Sequence, residues 1–311
     1  MIEIKEENLF QFPSSDGEHA VAGYRFPLDN PRAVVQISHG MIEHIGHYTE
    51  LISRLLDAGI AVFANDHLGH GKTAASEEEY GVFGKKGAQE FVLRDLHTVT
   101  ELARREYPDV PLILIGHSMG SFLCRLYAAR WGDELDGLVI LGTGGPNPML
   151  PMGKLVAAIS STVFGPRHRG KVISKLAFGA YNSRYEKGVP EKAWITSDME
   201  MLDRFKDDPA SQFTFPSGGF RELFAMIGEV NRKSWAKKLP KDLPIFLASG
   251  DMDPVGGWGK GVKKVNRMLE EAGCEKLTFR LYPGFRHELH NEVGRDEFYR
   301  DLFAWLEGLI P

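Results

Sequence analysis

Hydrophobic positions along this 311-residue chain fall into a repeating rhythm. Short, continuous apolar runs alternate with stretches in which apolar residues recur every three or four positions. AVVQIS (33–38), IAVFAND (60–66), PLILIG (111–116), LDGLVILG (135–142), PIFLASG (244–250) and KLTFRLY (276–282) read as buried strands. Between them Tyr48, Leu51, Leu55 and Leu56, then Val92, Leu96, Val99 and Leu102, and finally Phe298, Leu302, Trp305 and Leu309 stand at helical spacing. Further helices are predicted after Ser118 and over 258–273. Ahead of the first buried strand, NLFQF and AVAGYRF flank the turn-forming PSSDGE and predict a hairpin. Such alternation implies an α/β fold, with a mostly parallel sheet and helices on both faces.

The rhythm breaks at Gly144. Residues 145–237 carry apolar, helix-like patches and many aromatics but no clear strand. A block of that size between two strands is too long for a plain loop. It is predicted to be a helical cap, inserted into a core formed by 1–144 and 238–311. Its place is over the carboxyl ends of the strands, where open α/β sheets bind ligands.

Composition narrows the class only a little. With 43% hydrophobic and 25% charged residues the chain is an ordinary globular protein, long enough for a large core. A net charge of −5 gives no footprint for nucleic acid. The two cysteines, Cys124 and Cys274, make neither a disulfide framework nor a metal set, and suit a reducing compartment. The opening MIEIKEENLF is acidic and lacks the layout of a signal peptide, and LVAAISSTVF (155–164) is too short to cross a bilayer. A cytoplasmic location is the expectation.

Candidate chemistry begins where the strand PLILIG runs into HSMGS. A serine hydroxyl attacks only when a base takes its proton, and the oxyanion it creates needs hydrogen-bond donors. A tight turn between strand and helix serves both needs, and Gly116 and Gly120 clear the crowded space around it. Ser118 is therefore the predicted nucleophile. The base and acid should follow in the order Asp, then His, on loops after later strands. PGFRHEL, after KLTFRLY, supplies His287, with His290 as a competitor further along. DMDPVG, after PIFLASG, offers Asp251 and Asp253. Asp253 is favoured, because Pro254 holds it extended while Asp251 stands against Gly250 as turn-closing carboxylates do. The backbone N–H groups of Met119 and Met41 are the expected oxyanion donors, with His39 bracing the loop that carries Met41.

SHGMIEHIGHY, ANDHLGHGKT, GHSMGS, SGDMDPVGGWGKGV and YPGFRHELHNE resemble the signature segments of α/β-hydrolases of the monoacylglycerol lipase and lysophospholipase group. FGAYNSRYE extends the likeness into the cap. The resemblance implies an α/β-hydrolase fold and hydrolysis of single-chain lipid esters through an acyl-enzyme. It assigns the same roles to Ser118, Asp253, His287, Met41 and Met119. One departure is Leu68, where many members carry Arg and a local salt bridge.

Other chemistries fit less well. The pairs His44/His47, His67/His70 and His287/His290 lack a third metal ligand in sequence, and no phosphate- or dinucleotide-binding glycine loop is present. Neither metal nor organic cofactor is expected. Met149, Met152, Met199, Met201 and Met226, with Phe178, Phe213, Phe215, Phe220 and Phe224, give the cap apolar material suited to a lipid-like ester. Such a substrate leaves room for a transient contact between the cap and a membrane surface. Arg167, Arg169 and Lys171 read as a solvated basic face. The competing functions are a short-chain carboxylesterase or thioesterase and a ligand receptor with little turnover. Sequence does not fix the oligomeric state.

Overall fold

The computed structural model describes residues 2–310. A hairpin of β1 (Leu9–Pro13) and β2 (Ala20–Phe26) leads into β3 (Ala33–Ser38), α1 (Thr49–Asp57), β4 (Ile60–Asn65) and α2 (Gln89–Glu106). The unit that follows is β5 (Leu112–His117), α3 (Met119–Trp131) and β6 (Gly137–Leu141). Five helices then intervene before the sheet resumes: α4 (Leu150–Val163), α5 (Lys171–Phe178), α6 (Met199–Arg204), α7 (Ser217–Val230) and α8 (Lys233–Ala236). The chain closes with β7 (Ile245–Gly250), α9 (Lys260–Glu271), β8 (Leu277–Tyr282) and α10 (Asp296–Glu307).

All eight strands join one sheet in the order β1-β2-β4-β3-β5-β6-β7-β8. The two hairpin strands pair antiparallel, β2 also runs antiparallel to β4, and every later pairing is parallel. Consecutive residues of a strand point to opposite faces, so the central strands feed two cores at once. Val34, Leu112 and Leu114 join one cluster, with Leu96 of α2, Leu123 of α3 and Val262 of α9. Val35, Ile113 and Ile115 join the other, with Leu51 and Leu55 of α1 and Phe298 and Leu302 of α10. That two-sided burial is why these strands are mostly apolar, the buried Gln36 of β3 being satisfied by the Leu96 carbonyl and the Thr100 hydroxyl.

Within the insert the helices differ in how firmly they are held. Helix α7 buries nine side chains or glycines, Phe220, Leu223, Phe224 and Met226 among them, and packs on α3 and α4. Helix α4 buries only Ala157 and Ser161, and α5 only Ile173. Arg125, fully buried on α3, ties both ends of the insert to the core. Its guanidinium donates to the Thr143 hydroxyl and Gly144 carbonyl at the start and to the Val230 carbonyl at the end, and it lies over the Trp235 ring.

Candidate active site

Ser118 stands between the last residue of β5 and the first of α3, with φ +52° and ψ −117°. A serine rarely adopts this conformation, and it is held here by the surrounding packing. The Ser118 N–H donates to the Leu141 carbonyl of β6 at 3.0 Å. A side chain at Gly116 would press on the Cys124 sulfur and the Gly120 carbonyl, and one at Gly120 on the Ser38 and His39 carbonyls. The two glycines thus let α3 leave the sheet at an angle no larger residue permits. Met119, the first residue of α3, carries one of the N–H groups that have no acceptor inside a helix.

The loop after β3 brings Met41 to the same place. His39 braces it, Nδ1 bonding to the Gly40 carbonyl at 2.7 Å and Nε2 accepting the His67 N–H at 2.9 Å. Ile42, the residue after Met41, has φ +59°, a second strained position beside the candidate oxyanion site. Asp66 fixes the neighbouring turn by accepting the N–H groups of Ile45 and Lys72.

The two aspartates after β7 part company in the structure. Asp253 is fully buried and its Oδ2 lies 3.0 Å from Nδ1 of His287, while Oδ1 accepts the Val255 N–H at 2.8 Å. Asp251 instead accepts the Gly284 N–H at 2.7 Å and closes a turn. His290 lies behind the site, stacked on Tyr48 at 4.8 Å with both ring nitrogens unpartnered among the described residues. Burial, followed by the charge of His117, holds its pKa well below the ordinary value, so it stays neutral.

Ser118, His287, Met41 and Met119 all line one cavity of about 710 Å³. The insert supplies much of its wall, including Phe178, Trp194, Met201, Phe213 and Leu223. The Trp194 ring lies 5.2 Å from the His287 ring. The remaining aromatics and methionines of the insert divide among three places. Phe215 also lines the cavity, Phe220, Phe224 and Met226 are packed into the core, and Met149, Met152 and Met199 face solvent. The basic face expected at 167–171 is only partly solvated. Arg169 donates to the carbonyls of Thr214, Glu78 and Tyr80 and so pins the insert to the loop before α2.

A buried charge cluster beneath the cavity escaped the sequence reading. Glu43 accepts the Gly40 N–H at 3.0 Å and the Tyr48 hydroxyl at 2.6 Å, and lies 3.2 Å from Nδ1 of His117. Nε2 of His117 donates to the His287 carbonyl at 3.3 Å. One ion pair therefore links the Met41 loop, the residue before Ser118 and the His287 loop. Burial alone would strip the proton from His117, but Glu43 beside it pushes its pKa up to about 9. Glu288, buried and facing the Glu43 charge, is pushed up to about 7. The one signal in the sequence was a histidine at the end of an otherwise apolar strand.

The His44/His47 pair does meet a third group, Asp208 from the insert, with ligand-type atoms of all three within 4.8 Å of one another. The hydrogen bonds do not suit a metal. Nδ1 of His44 accepts the Gly46 N–H at 3.0 Å, so its proton sits on Nε2, which donates to Asp208 at 2.7 Å. A metal on Nε2 would need the opposite tautomer. His44 bonds to Asp208 and His47 to Ser211, whose hydroxyl in turn donates to Asp208, so the group is a hydrogen-bonded clamp between core and insert.

A mostly parallel sheet, a strained serine turn and a histidine–carboxylate pair at one cavity define a hydrolase of the α/β-hydrolase fold. The chain belongs to the Hydrolase_4 family, described as serine aminopeptidase, S33, whose sequence profile spans residues 29–294. It is 27% identical over 307 residues to a monoacylglycerol lipase of Mycolicibacterium smegmatis, covering 94% of this chain and 98% of that one. The human monoglyceride lipase is 26% identical over 311 residues, covering 97% and 91%. A highly thermostable carboxyl esterase from Bacillus coagulans, solved in complex with glycerol, superposes with a TM-score of 0.90 at 32% identity, covering 97% of this chain and 98% of that one.

Proposed function

We propose that this enzyme hydrolyses single-chain carboxylic esters, monoacylglycerols first among them and lysophospholipids by extension, through an acyl-enzyme on Ser118. The observation that carries the reading is the shared cavity, with Ser118 and His287 on its floor and apolar side chains of the insert around them. Relatives named as monoacylglycerol and monoglyceride lipases support it. Asp253 accepts the Nδ1–H of His287, which leaves Nε2 free to take the Ser118 proton. The hydroxyl oxygen then attacks the ester carbonyl, and the N–H groups of Met41 and Met119 receive the negative charge. His287 returns the proton to the departing glycerol oxygen, and water repeats the sequence to release the fatty acid.

The inserted segment acts as the cap in this scheme. Each methylene it takes out of water contributes about 0.8 kcal/mol, so a chain of ten carbons gains several kcal/mol even after ordering costs. We place the enzyme in the cytoplasm, where Cys124 and Cys274, both free and buried, stay reduced. Among the described residues no helix is long and apolar enough to cross a membrane, so contact of the cap with a lipid surface would be superficial and transient.

The test is a hydrolysis panel of p-nitrophenyl esters from short to long chains, monoacylglycerols and lysophospholipids, with Ser118→Ala as the blank. Monoacylglycerols of about eight carbons or more should give the highest kcat/KM, since each added methylene is buried in the cavity. Acetate or butyrate esters winning by tenfold would overturn the substrate class.

A further inference from the structure

Lys192 is a cation of the cavity wall with no counter-ion in contact. It is half-buried and lines the same cavity as Ser118 and His287. Its ammonium donates to the Ser211 carbonyl and to Oε1 of Gln212, both at 2.8 Å. An ammonium has three N–H donors, so one is left over. Among the described residues no carboxylate pairs with it. The acids around it are engaged elsewhere or face water: Asp208 is bonded to His44 and Ser211, Glu288 accepts from Asn291, and Glu191 is exposed. Burial lowers the Lys192 pKa from the ordinary lysine value, as expected of a charge drawn out of water without full compensation.

A bare acceptor stands beside it. The Ser211 hydroxyl gives its proton to Asp208, so at 2.8 Å it accepts from Nε2 of His47. Nδ1 of His47 then carries no proton, and it has no partner among the described residues. Burial brings the His47 pKa down to about 3, so the ring stays neutral. His47 and Lys192 thus hold one residue, Ser211, by its hydroxyl and its carbonyl, and both line the cavity. His47 feels the Glu43 charge and Lys192 the Glu288 charge, from the loops that carry Met41 and His287. The pair belongs to the polar end of the cavity, away from the apolar wall of Phe178 and Leu223.

We propose that Lys192 and His47 form a headgroup subsite that admits 1-acylglycerol 3-phosphates beside monoacylglycerols and turns away lysophospholipids bearing choline. This rests on the single-chain ester reading above. The free glycerol hydroxyl donates to Nδ1 of His47, and the third N–H of Lys192 donates to the substituent on the next carbon. In a monoacylglycerol that substituent is a hydroxyl. In the phosphate it is an anionic oxygen, which supplies the missing counter-ion. Stripping water from the phosphate costs part of that gain, so the subsite ranks phospholipid headgroups against one another rather than above glycerol. A phosphocholine instead brings a second cation toward Lys192, in a cavity that Lys171 and Lys175 also line.

Two ethers that no esterase can cleave read the subsite apart from catalysis: 1-O-decylglycerol 3-phosphate and 1-O-decylglycerol 3-phosphocholine, each titrated by calorimetry. A hydrogen bond to a charged group is worth about ten- to a hundredfold in affinity, so the wild-type enzyme should bind the phosphate at least about tenfold more tightly. Lys192→Gln should reduce that ratio by about tenfold, while Lys192→Arg, which keeps the charge, should retain most of it. Lys175→Gln, at the same cavity, should leave the ratio as it is. Equal affinity for the two ethers in the wild type, or tighter binding of the phosphocholine, would overturn the proposal whether or not the variants fold. So would a ratio unchanged in Lys192→Gln, or one lost as fully in Lys175→Gln. Absence of hydrolysis on every single-chain ester, with the ether ratio intact, would sink the catalytic reading and leave the subsite standing. Hydrolysis of monoacylglycerols without discrimination between the ethers would sink the subsite alone.

Discussion

At the scale of single residues the site works by giving each polar group one task. Asp253 and Asp251 are two positions apart on one loop, yet one meets His287 and the other caps a turn through the Gly284 N–H. Asp253→Asn should lower kcat by on the order of 10³ to 10⁴, because the imidazole loses the partner that fixes its tautomer and stabilises its protonated form. Asp251→Asn should cost less than about tenfold, and steady-state kinetics on one soluble ester decide between them. The Glu43–His117 pair makes a separate prediction in pH. His117 is raised in the folded protein to about 9, so its contribution to stability is complete below the ordinary histidine pKa and is lost as pH rises through 9. Glu288, raised to about 7, acts in the same direction over a lower range, favouring the fold below the usual carboxylate pKa and losing that contribution by pH 7. Five buried histidines held neutral, His39, His47, His67, His70 and His290, act in the opposite sense and are costly to bury below pH 6.5. Urea unfolding should therefore show stability rising from mildly acidic pH to neutrality and then declining toward pH 9. His117→Asn should remove the alkaline step, and an unchanged profile in that variant would contradict the pairing. Glu43→Gln, which leaves a buried partner uncompensated, should cost about 3–5 kcal/mol.

At the scale of elements, α3 does more than present Ser118. Arg125, two turns along it, is buried without any carboxylate partner and spends its donors on carbonyls at the two ends of the insert. Arg125→Met would keep the packing against Trp235 while orphaning the Val230 carbonyl and leaving the Gly144 carbonyl only a long bond from Asn231 at 3.5 Å. Each buried acceptor left unpaired costs about 1–3 kcal/mol. The variant should melt several degrees lower and show a KM raised more for long acyl esters than for butyrate, as the insert loosens. A uniform loss of kcat on every ester would instead mean that the damage reaches Ser118. Elements were also the scale at which the sequence was easiest to read. Strands buried on both faces are continuously apolar, so AVVQIS and LILIG announced β3 and β5, and glycines on either side of Ser118 announced the turn between β5 and α3. Contacts between distant segments left no such mark. Glu43 and His117 are separated by 74 positions in sequence and joined at 3.2 Å. Arg169 looked like a surface cation because its acceptors are backbone carbonyls, which any residue carries. Phe178 and Phe224 have equal hydropathy, and only packing sends one to the cavity wall and the other beside Gly153 of α4.

At the scale of the whole molecule, the insert consists of a half that is stitched down and a half that is laid on top. Residues 193–197 are laced to the His287 loop. Glu288 donates its N–H to the Ile195 carbonyl at 2.8 Å, Arg286 reaches the Ala193 and Thr196 carbonyls, and Thr196 donates to Asn291. Helix α7 is anchored by its buried face on α3. Any movement of that half would drag His287 with it. Helices α4 and α5, by contrast, bury three residues between them and touch the core through α7. Opening free energies follow buried apolar contacts, so the two halves should exchange amide hydrogens at different rates. Amides of α5 should exchange at least about tenfold faster than those of α7, with α4 between them, since its Ser161 hydroxyl also accepts from Arg221 of α7. Hydrogen exchange read by mass spectrometry on peptides covering 150–163, 171–178 and 217–230 measures this directly. Equal protection across the three would mean that the insert moves as one piece, and that access to Ser118 requires the whole of it to lift. The graded pattern would confine the moving part to the wall that carries Phe178, leaving Trp194 against His287 throughout turnover.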